Sequence, residues 1–448
     1  MKITSISVED LFYTYTYSID LNNESLVSII HAPNGYGKTT VFRLIRDVLD
    51  LNVKGLYDIP FKSFSIELSD STKITITQNE QVEDGEYQYT LPIKIFVSKE
   101  GLQIPTLVLQ RSKLLPIFEE SRGPLYQIER AFSEIIHNNN KLISEFERIR
   151  KSLEVNFIET SRLYIQPYSD RQYSIIEFEN RNTISRNELV RKNPRAGIEA
   201  NERIVHCAYC LRNLINKVKQ QYSTISEEID RSFPNRLVAA VNDKSRHDHY
   251  TNEEIKKKLV ELEDKRKELR KTGFISSDQS ESLPSIKDSD ETLLIFYTLY
   301  IDDTFQKLNH YDDIKRKIEL FLEIINNKTS FSNKEMSISS EGRVFFKPKG
   351  KSTRPDREIA LDSLSSGEKH DFILFYELIF NSNENKVFLI DEPEISLHVA
   401  WQVEYIKIIE EICKMNDMQA IIATHSPDIV NGRNDLLISL GIEDEDEE

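Results

Sequence analysis

Ten residues constrain this chain more than any others: His31-Ala32-Pro33-Asn34-Gly35-Tyr36-Gly37-Lys38-Thr39-Thr40. They follow an apolar run, Leu26-Val27-Ser28-Ile29-Ile30, that reads as a buried strand. They precede Val41 to Leu49, whose apolar spacing is helical. A strand, a glycine-bearing loop, Lys-Thr and a helix, in that order, make a phosphate-binding loop. Backbone N–H groups and the positive end of the helix dipole converge where phosphate oxygens sit. On this reading the nucleotide-contacting residues are Asn34, Gly35, Tyr36, Gly37, Lys38, Thr39 and Thr40. Lys38 reaches the β- and γ-phosphates of ATP and the Thr39 hydroxyl ligates Mg²⁺. Ala32 stands where the usual first glycine would be, which requires a φ that alanine can adopt. An ordinary strand–turn–helix with Gly35 and Gly37 serving the turn fits the same ten residues.

With 448 residues the chain can bury a large core in two or three structural units. A hydrophobic content of 39% beside 29% charged residues is that of a soluble globular protein. No apolar run reaches the roughly 18 residues a membrane span needs, and Leu293 to Ile301, the densest, ends in Asp302-Asp303. The start, Met-Lys-Ile-Thr, has no signal-peptide pattern, and three cysteines are too few for a disulfide framework. Both point to the cytoplasm. The net charge of −16 argues against coating DNA over the whole surface, while leaving room for a local basic patch. Part of that charge sits in Glu443 to Glu448, an acidic tail.

Along the chain, Ile3, Ile6 and Val8, then Tyr13, Tyr15, Tyr17 and Ile19, alternate as short strands ahead of the loop. Phe64 to Leu68 and Ile74 to Thr77 form a hairpin signal across Asp70-Ser71-Thr72, and residues 55–115 read as an antiparallel sheet. From about 117 to 328 the pattern is helical and charged. Val155 to Thr160 interrupts it and returns a strand to the core. Glu253 to Lys271 carries Ile255, Leu259, Leu262 and Leu269 at coiled-coil spacing, enough for a short arm. Ser276 to Asp290 reads as a tip or linker. His206-Cys207-Ala208-Tyr209-Cys210, with His247 and His249 downstream, makes zinc conceivable, but the histidine spacing is wrong for a finger and two buried cysteines are the commoner outcome. Lys256–Lys258 and Lys265–Lys267 read as solvated faces of the arm rather than a DNA grip.

The core resumes at Met336, with a hairpin from Met336–Ser339 and Val344–Lys347. Leu364-Ser365-Ser366-Gly367-Glu368 opens an apolar helix, and a Ser-Ser-Gly turn at a helix start presents N–H groups and hydroxyls to an anion. Alone it would read as an N-cap. The strand Lys386 to Ile390 delivers Asp391 and Glu392 at its end, where ligands bind in open α/β sheets. Asp391 suits Mg²⁺ and Glu392 suits activation of the attacking water. Ser396-Leu397-His398 follows, then a helix over 401–415, and the strand Ala420–Ala423 ends in Thr424-His425-Ser426-Pro427, where His425 could bond a γ-phosphate.

The order phosphate loop, LSSGE, strand with Asp-Glu, SLH and THS resembles the ABC-type ATPases, in the branch of SMC-like and OLD-like proteins. The resemblance covers roughly 1–115 and 335–435. It implies an α/β fold, a P-loop ABC-type ATPase head with an antiparallel β subdomain and a large helical, short coiled-coil insertion. The division it implies is an N-terminal lobe at 1–115, the insertion at 116–330, a C-terminal lobe at 331–435 and the tail at 436–448. In family terms Lys38 and Thr39 belong to Walker A, Ser365, Ser366, Gly367 and Glu368 to the nucleotide-binding signature, and Asp391 and Glu392 to Walker B. Ser396 to His398 matches the D-loop and His425 the switch histidine. Metal ligands would be Thr39 and Asp391, and catalytic residues Glu392 and His425. The family's Q-loop glutamine is not obvious, with Gln166 a weak candidate. ATP would bridge two heads, making a homo-oligomer.

Transporter nucleotide domains lack an insertion as long as the stretch of about 330 residues between Lys38 and Gly367. Asp391 to His398, Trp401-Gln402 and Ala423 to Pro427 look like stand-alone ATPases of anti-phage defence operons, among them the PARIS and Septu ATPase subunits and the ATPase half of OLD nucleases. OLD nucleases continue into a TOPRIM domain, whereas this chain stops 23 residues after His425. The expectation is therefore a sensor that holds or activates a separately encoded nuclease, TOPRIM-type rather than HNH-type, in response to a phage trigger. The alternative is a DNA-repair or maintenance ATPase of the RecN kind. A catalytically idle scaffold is a third, opposed by intact Lys38, Asp391 and Glu392.

Overall fold

The computed structural model describes residues 1–21, 25–83, 86–99, 106–109, 140–159, 200–242, 249–275, 291–349, 357–382, 384–396 and 399–440. They form two compact units, residues 1–165 with 381–448, and residues 166–380. In chain order the elements are β1 (Ile3–Leu11), β2 (Tyr15–Asp20), β3 (Val27–His31), α1 (Lys38–Leu49), α2 (Val53–Asp58), β4 (Ser63–Leu68), β5 (Lys73–Glu83), β6 (Glu86–Ser98), β7 (Leu107–Leu109), α3 (Asn140–Ser152) and β8 (Glu154–Ile158). Next come α4 (Ala200–Asn242), α5 (Asn252–Lys271), α6 (Glu291–Asn309), α7 (Asp312–Thr329), β9 (Lys334–Ile338), β10 (Val344–Pro348) and α8 (Ser366–Phe380). Last are β11 (Lys386–Asp391), α9 (Val399–Asn416), β12 (Gln419–Thr424), α10 (Pro427–Val430) and β13 (Leu437–Ser439).

In the first unit, five strands form a parallel sheet in the order β13-β3-β12-β11-β8. Its centre is buried on both faces, so β11 and β12 are buried at every position and read as continuous apolar runs. β8 is the strand expected near 155–160, and it pairs with β11 along its whole length. The second sheet is antiparallel, in the order β2-β1-β4-β5-β6-β7, and its strand β4 buries every other residue. Ile6, Phe64, Ile66, Ile74 and Ile95 from that sheet share one core with Phe42, Ile45 and Val48 of α1 and Leu389 and Ile421 of the parallel sheet. This core anchors α1 beneath the phosphate loop.

The second unit is mostly helical. α5 buries Ile255, Leu262 and Leu269, one residue per heptad, and its start is closed by a capping box between Thr251 and Glu254. Its 20 residues extend about 30 Å, and Arg266 and Lys265 tie it to Tyr300 of α6 and Asp312 of α7. Helix α8 packs here, with the Phe372 ring 5.2 Å from that of Phe321 on α7 and Glu377 paired to Arg203 of α4 at 2.9 Å.

The units divide the chain differently from the expected boundaries at 115/116 and 330/331. Residues 140–158 stay with the nucleotide core because β8 completes the parallel sheet. The β9–β10 hairpin and α8 go with the helical unit because α8 buries its apolar face on α4 and α7. Cys207 and Cys210 are free thiols of α4, and burial is the main force pushing both pKa values up. Among the described residues no cluster of three metal-binding side chains exists, and no helix is long and apolar enough to cross a membrane. The linker at 276–290, Gln166, His247, Leu397, His398 and the tail from 441 lie outside the described residues.

Candidate nucleotide site

The strand ends decide where chemistry collects. Register pairs Thr424 with His31 and Asp391 with Ala423, so β3, β12 and β11 finish at one edge of the parallel sheet. The phosphate loop leaves β3 there, His425 leaves β12 and Glu392 leaves β11. β12 lies between the other two. Ligands bind at this edge because strand ends and helix N-termini converge on it.

The loop enters α1 through Gly37, whose φ of 77° is left-handed. A Cβ at Gly37 would lie 3.1 Å from Leu11 Cδ2, so glycine is needed for both backbone and space. Gly35, at φ +92°, instead faces open space. Ala32 keeps a negative φ, so the departure at that position introduces no strain. No side chain caps the start of α1, and its first turn holds no acidic residue. Its first amides are left for a ligand.

Lys38 is 5% exposed, and its ammonium donates to the Ala32 carbonyl at 2.7 Å and the Pro33 carbonyl at 3.0 Å. Burial pushes its pKa down, opposed by the charges of Glu392, Asp391 and Glu394. Thr39 Oγ1 donates to Asp391 Oδ2 at 2.7 Å, joining residues 352 positions apart. A hydroxyl beside a fully buried carboxylate is the hard oxygen set that Mg²⁺ takes, so Thr39 and Asp391 fit that ion. Asn34 is exposed and Thr40 lies half-buried in the first turn of α1.

Tyr36 stacks on Tyr15 with ring centroids 5.6 Å apart, and its carbonyl accepts from the Tyr17 hydroxyl at 3.0 Å. Burial pushes the Tyr17 hydroxyl up to about 12, with Tyr15 and Tyr36 adding to it, so it stays a neutral donor. The alternating tyrosines read as strand pattern alone; here Tyr15 and Tyr17 brace the loop.

Glu392 sits at φ +44°, a left-handed conformation that costs a long side chain on the order of 1 kcal/mol. Its N–H donates to the Ala423 carbonyl at 2.8 Å, which pins the turn against β12. His425 is 42% exposed, and its Nδ1 lies 2.9 Å from Glu394 Oε1. Glu394, part of the stretch Asp391–His398 but given no role there, is buried. Gln402 and Ser426 likewise stood in the sequence motifs without a role: the Ser426 hydroxyl donates to Gln402 Oε1 at 2.8 Å. Ser396 lies in a 3-10 turn at Pro393–Ser396.

Ser365, Ser366, Gly367 and Glu368 open α8 in the other unit. Ser365, Ser366 and Gly367 are exposed, and a Cβ at Gly367 would meet nothing within 4 Å. Glu368 is held at the start of its own helix. Its carboxylate accepts from the Ser365 N–H at 2.7 Å, the Ser332 hydroxyl at 2.6 Å and Lys334 Nζ at 2.8 Å. Burial alone would raise its pKa, but these bonds hold it at about 2. These bonds close the start of α8.

The sequence matches the AAA ATPase domain family over residues 1–430. No curated protein matches it. Similar solved structures include an Smc head bound to the C-winged helix domain of ScpA, at 13% identity and TM-score 0.35. Others are the Smc head with coiled coil and joint from Pyrococcus yayanosii (13%, TM-score 0.31) and the SMC head from Thermotoga maritima (10%, TM-score 0.34). Each comparison covers 98% of this chain and 94% of the other, and TM-scores this low carry no weight for the fold. The phosphate loop, the bond from Thr39 to Asp391 and the family match over nearly the whole length agree: the chain belongs to the AAA ATPase domain family.

Proposed function

We propose that this chain binds and hydrolyses ATP as an ABC-type head, in the cytoplasm, and that two copies bind ATP between them. Amides of the phosphate loop and Lys38 bind the phosphates, and Glu392 orients and activates the attacking water. Thr39 and Asp391 would hold Mg²⁺, which supplies charge neutralisation on the phosphates. The exposed Ser365, Ser366 and Gly367 of a second copy would complete each site. The observation that carries this reading is the 2.7 Å hydrogen bond from Thr39 to Asp391, which joins loop and strand into one oxygen-lined site. Glu392→Gln tests it: ATP should stay bound while hydrolysis falls by about 10²–10⁴-fold. Hydrolysis at the wild-type rate would remove Glu392 from this role.

The wider role rests on the wording of Asp391–His398 and Ala423–Pro427, which resembles that of defence ATPases. In that role the ATPase senses a phage product and releases or activates a separately encoded nuclease. Co-expression with flanking genes and purification in ATP should bring a nuclease with the chain, and phage protection should vanish in Lys38→Ala. DNA cleavage by the purified chain that survives Lys38→Ala would overturn this role. Co-purification with repair proteins instead would favour DNA maintenance.

A further inference from the structure

Glu394 is buried, and one of its oxygens accepts two hydrogen bonds and lies against the His425 ring. Oε1 accepts from the Thr424 hydroxyl at 2.8 Å and the His425 backbone N–H at 3.0 Å, and His425 Nδ1 lies 2.9 Å from the same oxygen. Oε2 is buried with no hydrogen-bond partner. The surroundings lock this carboxylate in place. The Thr424 hydroxyl accepts from the Ser426 N–H at 3.0 Å, and Gln402 Nε2 donates to the Glu394 carbonyl at 3.4 Å.

A distance of 2.9 Å is too short for a bare ring nitrogen to face a carboxylate oxygen lone pair to lone pair, so the ring's proton belongs on Nδ1. That leaves Nε2 as the one ring nitrogen able to meet a ligand. A neutral ring then meets it with a lone pair and suits water. Phosphate oxygens also carry only lone pairs, so contact with them needs the ring protonated at both nitrogens.

We infer that Glu394 is a positioning residue that holds His425 with its proton on Nδ1 and turns Nε2 toward the nucleotide. The kinetic part of this inference rests on the proposed ATPase reading; the protonation part does not.

Two measurements test it on the full chain. In ¹⁵N-histidine-labelled protein, long-range ¹H–¹⁵N correlations should show the His425 proton on Nδ1, the signal being identified by its loss in His425→Gln. Glu394→Ala should shift the proton toward Nε2. A wild-type signal with the proton on Nε2 alone would overturn the inference, whether or not the chain hydrolyses ATP. In kinetics, Glu394→Ala and His425→Ala should each lower kcat by about 10- to 100-fold, the range of a charge-assisted hydrogen bond, with little change in KM for ATP. The double variant should be no slower than His425→Ala, because Glu394 acts through that ring. Losses that multiply would mean that Glu394 merely braces the loop through Thr424, and would overturn the inference. Glu394→Gln keeps an acceptor at Oε1 and should recover part of the rate; if Glu394→Ala fails to fold, this variant and the wild-type spectrum decide. Glu394→Gln as slow as His425→Ala, with a wild-type spectrum lacking the Nδ1 proton, would leave the inference without support.

Discussion

Two helices in this protein begin at residues expected to face phosphate, and their ends are built in opposite ways. The start of α1 has a glycine cap, no capping side chain and no acid in its first turn. The start of α8 closes on itself: the Glu368 N–H donates to Ser365 Oγ at 3.3 Å, while the Glu368 carboxylate accepts from the Ser365 N–H at 2.7 Å. This is a capping box, and it spends helix amides and places a negative charge where α1 has none. The N-terminal end of α1 is therefore engaged by no capping side chain and opposed by no acid of its own first turn. α8 offers only what its own cap leaves over, at Ser366 and Gly367. A helix N-terminus is thus not one kind of site; the residue at its third position decides how much of it remains for a ligand.

The largest effect should come from giving α1 a carboxylate of its own. In Gly37→Asp the new side chain must adopt the left-handed backbone, press on Leu11 and put negative charge at the mouth of the loop. ATP affinity should fall by more than about 100-fold, read by binding of a fluorescent ATP analogue. Affinity within a few-fold of wild type would mean that the open end of α1 is not where phosphate binds.

The matching change at α8 should leave the fold intact, because Gly367 faces open space and its φ is not left-handed. Gly367→Asp should keep its Tm, yet lose ATPase activity if this helix closes a partner's site. Lys38→Ala should be equally inactive. In a mixed dimer of the two variants both lesions fall in one site, and the other site is whole. A purified, differently tagged heterodimer should then recover part of the activity. Activity no higher than in either parent would mean that sites do not form between copies or that both must act together, and ATP-dependent crosslinking near Lys38 and Ser366 separates these.

The smallest effect concerns the α8 cap alone. Glu368→Gln should cost about 1–3 kcal/mol, read as a lower Tm of the full chain near neutral pH. Its pH dependence has a defined sign. The folded pKa of about 2 lies below the ordinary 4.5, so the folded state binds fewer protons and the stabilisation is present above 4.5. It is lost as pH falls from 4.5 toward 2, so wild type and variant should converge there. A gap between them that stays constant across this window would show that Lys334 and Ser332 do not hold the carboxylate charged.

Local order was readable from the chain itself wherever neighbours in sequence cooperate. The phosphate loop needs glycines at particular φ values, a lysine and a helix immediately after it, and all lie within ten residues. The buried parallel strands appear as unbroken apolar runs, and α5 as a heptad, because burial imposes a period that a few residues already display. Tertiary structure decided the rest. Thr39 meets Asp391 across 352 positions, Glu394 meets His425 across 31, and Lys334 and Ser332 reach Glu368 from 34 and 36 residues upstream. Hydrogen bonds of this kind leave no periodicity: the motifs marked Thr39, Asp391, Glu368 and His425, but nothing in the chain shows that Glu394, Ser332 and Lys334 reach them. The unit boundaries divide the same way: the strand at β8 was legible as a break in the helical pattern, but its partner was not, since the edge it pairs with is β11, far along the chain.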